Sequence, residues 1–67
     1  MNTIQAYADF IENRVQVDRA DLIDANIDRQ WTPDADDDNK MRMVDSFVGI
    51  LVSRGLVTDD GNVTTWI

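Results

Sequence analysis

Twelve residues in the middle of the chain, DADDDNKMRMVD from Asp34 to Asp45, hold its densest set of chemically capable side chains. Asp34, Asp36 and Asp38 fall at the first, third and fifth positions of a twelve-residue calcium-loop spacing, with Met41 at the eighth and Asp45 at the twelfth. Hard cations take oxygen ligands, and alternating carboxylates in a tight loop supply them. Two departures weigh against a metal. Position six is Asn39 where the sharp bend wants glycine, and position twelve is Asp, shorter than the usual bidentate Glu. The competing reading gathers these acids at a helix start, where the macrodipole favours negative charge and Asp38 or Asn39 caps the first turn. That reading is preferred. No metal or cofactor is assigned, and the calcium loop over 34–45 stays as an alternative.

Other site chemistry is limited by what is missing. The chain has no cysteine and no histidine, which removes the usual zinc ligands, thiol nucleophiles and imidazole bases. Acid–base catalysis by paired carboxylates needs one raised pKa, from burial or a close like charge. The acids here fall at positions expected to face solvent, so the expectation is a protein that is not an enzyme, with no catalytic residue.

Charge sets the class of partner. Thirteen acids, twelve of them Asp, face six bases for a formal charge of −7. Naked nucleic acid and anionic membrane are repelled at long range by such a surface. The basic residues Arg14, Arg19, Arg29, Lys40 and Arg54 are scattered, mostly beside acids, as on a solvated surface. The longest apolar stretch, Phe47 to Val52, is too short to span a bilayer, and MNTIQ carries no signal-peptide pattern. The expectation is one cytoplasmic domain over residues 1–67. A chain of 67 residues buries only about 60% of its unfolded surface, so its core must be compact.

The elements that must position these groups follow from periodicity. Ile4, Tyr7, Ala8, Ile11 and Val15 make one helical stripe, with Thr3 or Asn2 as cap and Phe10 off its centre. A short strand is expected at 15–17. Asp18 then caps a second helix with Asp21 in its first turn, whose buried stripe is Ala20, Ile23, Ile27 and Trp31, Leu22 lying beside it, and Thr32-Pro33 ends it. A third helix from about 38 to 54 buries Met41, Val44, Phe47, Val48, Leu51 and Val52, extended by Met43 and Ile50, and stops at Gly55. Last comes a hairpin turning at Asp60-Gly61. Leu56, Thr58, Val63, Thr65 and Ile67 share one of its faces, while Val57, Asp59, Asn62 and Trp66 share the other.

The run VQVDRADLID as strand and second helix, MVDSFVGILVSRGLV as third helix and following strand, and TDDGNVTTW as wing resembles the winged-helix family over nearly the whole chain. The fold class expected is therefore α+β: a small winged-helix-like domain of three helices with a C-terminal β-hairpin. In DNA-binding members of that family the third helix lies in the major groove, and its exposed face reads bases. The resemblance places Arg42, Asp45, Ser46, Gly49 and Ser53 on that face, a weak reading head, and the wing offers Asp59 and Asp60 to phosphate.

The expected function is a small acidic binding module. Asp34, Asp36, Asp37, Asp38, Asp45, Asp59 and Asp60, with Trp66, are the candidate contacts to a basic protein surface. Spaced carboxylates on a rigid body imitate nucleic-acid phosphates, so a nucleic-acid-binding target and an inhibitor of the phage or mobile-element type are the natural extension. The alternative is a weak or dimeric DNA-binding regulator. Oligomeric state is not readable from the chain.

Overall fold

A computed structural model describes residues 3–27 and 36–67. Helix α1 runs Thr3–Arg14, strand β1 Gln16–Asp18, helix α2 Arg19–Ala25, helix α3 Asp37–Ser53, strand β2 Val57–Asp59 and strand β3 Val63–Trp66. The strands form one antiparallel sheet in the order β1-β3-β2, so the last strand to be made sits in the middle. The chain is an α+β domain with three helices and a C-terminal hairpin among its described residues, the class that the sequence patterning predicts.

One face of the sheet and one stripe of each helix meet in a single core of Tyr7, Ala8, Ile11, Val17, Leu22, Val44, Val48, Leu51 and Val57. On α1 the spacing of Tyr7, Ala8 and Ile11 puts all three on one side, and Tyr7 stacks on Phe47 of α3 with ring centroids 4.9 Å apart. On α3 the buried set is Val44, Val48 and Leu51, at steps of four and three. Complete burial of one such aliphatic side chain stabilises the fold by roughly 1.5–3 kcal/mol.

Several expectations are corrected. Met41 and Val52 sit on the flank of α3, 41% and 44% exposed, so the buried face is narrower than the apolar residues suggest. Val15 lies beyond α1 in left-handed conformation, φ 68°, and is 60% exposed. Its carbonyl accepts the Trp66 N–H at 2.7 Å, which ties the end of α1 to β3 and moves the first strand one residue on, to 16–18. Helix α2 has only seven residues, because Asn26 turns left-handed at φ 53°, and its N–H donates to the Ile23 carbonyl. Its buried side carries Arg19 and Leu22, while Ala20 is exposed and Ile23 half-buried. The expected Trp31 and the stop at Thr32-Pro33 lie outside the described residues, as does Asn2.

Two boundaries are set by aspartates. Asp36, neither Asp38 nor Asn39, caps α3 by accepting the Asn39 N–H at 2.8 Å. At the hairpin, Asp60 Oδ1 accepts the N–H groups of Asn62 at 2.8 Å and Val63 at 2.7 Å. The carboxylate thereby centres the turn on Gly61-Asn62, with Gly61 at φ 100°, one residue beyond the expected Asp60-Gly61. Asp59 then pairs with Thr64. Each strand slips by one residue against the expectation, so the pairing changes by two and the faces are preserved.

Candidate functional site

The acids expected to act together separate into three settings. At the first turn of α3, Asp36 is committed to capping, while Asp37 and Asp38 are exposed, as the helix dipole favours. Asp45 and Asp59 belong to an internal network described below. Asp60, at the hairpin turn, spends one oxygen on its own turn. The N–H of Val63, and after it that of Asn62, hold its carboxyl below the ordinary value of 3.8. Trp66 is half-buried against the core and opposite Val57 in the sheet, and Asp34 lies outside the described residues.

Arg19 organises the network. It is only 7% exposed, and it begins the short helix α2 one residue after Asp18, which takes the extended conformation of a cap. Arg19 Nη2 donates to Asp59 Oδ2 at 2.8 Å, and Thr64 Oγ1 donates to Asp59 Oδ1 at 2.8 Å. Arg19 Nε lies 3.1 Å from Asp45 Oδ1, within ion-pair reach though too far out of line for a hydrogen bond. Its backbone N–H donates to the Asn62 carbonyl at 2.7 Å. One side chain therefore joins α2, α3 and β2, and Asp59 passes the link on to Thr64 of β3. The sequence reading took Arg19 for a solvated surface charge. The spacing of Arg19 to Leu22, three residues on one helix face, is the signal that it shares the buried side.

Of the twelve-residue span 34–45, the described part is a cap and a helix, not a loop. Residues 37 to 45 are helical, which sets Asp38 and Asp45 two turns apart, about 10 Å along the axis at 1.5 Å per residue. Among the described residues no three acidic side chains are grouped to hold a metal ion.

The four described arginines occupy separate settings. Arg14 stacks on the Phe10 ring at 3.7 Å on α1, and Arg19 is enclosed by carboxylates. Arg42 and Arg54, both exposed, lie on α3 and at its C-cap, about 18 Å apart along the helix. Asp45, Ser46, Gly49 and Ser53 are exposed beside Arg42, as expected for the outer face of this helix.

Sequence reasoning missed a groove between α2 and the start of α3. Its volume is about 330 Å³, and it is lined by Ala20, Ile23 and Asp24 from α2 and Asp37, Asp38 and Met41 from α3. On each helix these positions are three and four residues apart, hence on one face. Among the described residues the lining combines three apolar side chains with three carboxylates and includes no base. Asp24 and the exposure of Met41 carried no sequence signal, because both depend on where α2 stops.

No protein-family model, no curated protein and no solved structure matches the chain. Among the described residues no helix is long and apolar enough to cross a membrane.

Proposed function

We propose that this chain is a non-enzymatic protein-binding module, cytoplasmic, whose acidic surface engages the basic face of a partner that ordinarily holds nucleic acid. The observation that carries the reading is the groove lining: Asp24, Asp37 and Asp38 come to it from two helices, with no base among the described lining residues. Uncompensated carboxylates on a rigid frame raise the local concentration of cationic surfaces and repel phosphate. The order of elements, with β3 between β1 and β2, supports a winged-helix-like frame. On such a frame Arg42 is the single base of the outer α3 face beside Asp45, Ser46, Gly49 and Ser53, which gives little to neutralise phosphate. A nucleic-acid-mimicking inhibitor of the phage or mobile-element type is the specific form of this proposal.

The test is capture of nucleic-acid-binding proteins from lysate on the immobilised chain, at 50 mM and 500 mM salt, with duplex DNA as competitor. Electrostatic capture is lost at the higher salt and displaced by DNA. Retardation of duplex DNA by the chain itself at low salt overturns the proposal in favour of a DNA-binding regulator.

A further inference from the structure

We infer that the α2–α3 groove is the part of this surface that seats a partner's peptide segment, one in which an apolar side chain is flanked by Lys or Arg. The inference rests on the protein-binding reading above and assigns it a place. Ala20, Ile23 and Met41 form the apolar part of the lining, and Asp24, Asp37 and Asp38 the charged part. Met41 is 41% exposed, so an apolar group already stands open to an incoming side chain. Methionine is flexible and polarizable, which suits it to apolar partners of varied shape.

Charge decides the occupant. Three carboxylates and no base among the described lining residues disfavour a nucleotide or any other anion, and a cation gains more from them than a neutral ligand does. A cationic peptide satisfies both halves of the lining at once: its ammonium or guanidinium groups reach the carboxylates while its apolar side chain covers Ile23 and Met41. At about 330 Å³ the groove is at the lower end of ligand-pocket sizes, roughly 300–1,000 Å³, enough for side chains rather than a folded element.

The probe is the capped octapeptide of alternating Arg and Leu, titrated into the ¹⁵N-labelled chain at 50 mM salt, with the Arg/Ser and Glu/Leu octapeptides as controls. Amide shifts should centre on Ala20, Ile23, Asp24, Asp37, Asp38 and Met41, and Glu/Leu should leave them unmoved. Asp24→Asn/Asp37→Asn/Asp38→Asn and, separately, Met41→Ser should each weaken Arg/Leu binding about ten-fold, the scale of one to two kcal/mol in binding. All four substituted positions are exposed, so a retained amide spectrum verifies the fold of each variant. If Arg/Ser binds as tightly as Arg/Leu, or if the shifts fall elsewhere, the groove is not the seat although the acidic-surface reading stands. If neither cationic peptide binds, both fail.

Discussion

Arg19 Nη2 lies 2.8 Å from Asp59 Oδ2, which fastens the first turn of α2 to the first strand of the hairpin. The two residues are 40 positions apart, so a single ion pair closes the chain around α3. Its surroundings favour it: both side chains are largely enclosed, and Thr64 supplies Asp59 with a second donor. Asp45, by contrast, keeps 54% of its side chain exposed while it pairs with the same guanidinium.

Removing Arg19 therefore strands an enclosed carboxylate. Arg19→Ala should cost roughly 2–3 kcal/mol, somewhat less than breaking a fully buried pair because Asp59 retains some access to water. Asp45→Asn should cost under about 1 kcal/mol, as for an exposed pair. Urea unfolding of the two variants makes the comparison. Equal losses would show that Arg19 is not the staple the geometry implies.

The hairpin turn should be sensitive to acid through Asp60. Its folded carboxyl is held below the ordinary 3.8 by the Val63 and Asn62 N–H groups, so ionisation favours the folded turn. Stability from this group is present above the unfolded pKa and is lost as pH falls through the lower folded one. Asp60→Asn keeps an oxygen acceptor but cannot titrate. Between pH 4 and pH 2 the variant should lose less stability than the parent in thermal melts. Parallel losses would mean that the turn's carboxylate does not contribute to acid sensitivity.

Val15 holds a strained backbone and leaves most of its surface to solvent. A β-branched residue at φ 68° is a conformational outlier, and this one is 60% exposed. Asn tolerates the left-handed region better, so Val15→Asn should raise stability by about 0.5–1 kcal/mol. Thermal melting measures it. A loss instead would show that the Val15 side chain makes a contact worth more than the strain.

How far the chain's patterning foretold its structure depends on what ended each element. Helices α1 and α3 are long enough for their periodicity to place Tyr7, Ile11, Val44, Val48 and Leu51 in the core. Gly55, at φ 74°, stops α3 where a glycine should. Helix α2 departs from its apolar pattern because its first buried residue is charged. A stripe drawn through Ala20 and Ile23 treats Arg19 as solvent-facing, whereas Asp45 and Asp59, 26 and 40 residues away, draw it inward. No local pattern announces such partners. The same holds for the groove, which exists because Asn26 leaves the helix early and lets the start of α3 stand beside α2. The acidic run at 36–38 was legible as a helix start, but which acid caps it was not, since Asp at any of three positions satisfies the preference.

That last ambiguity yields the test that makes the acidic surface open to mutagenesis. Asp36 accepts the Asn39 N–H at 2.8 Å from an extended conformation, φ −75° and ψ 174°. Asn caps as well as Asp, while Ala cannot accept that hydrogen bond. Asp36→Ala should therefore lose about 1 kcal/mol of stability, and Asp36→Asn should lose almost none. Denaturant midpoints decide it, and a costly Asn would mean that the charge, not the cap, is what α3 needs. Asp37 and Asp38 have no such duty in the described hydrogen bonds, although they favour the helix dipole by a few tenths of a kcal/mol each. Replacing all three by Asn should then leave the chain folded while reducing its charge from −7 to −4. Any loss of partner capture by that variant would measure recognition rather than unfolding.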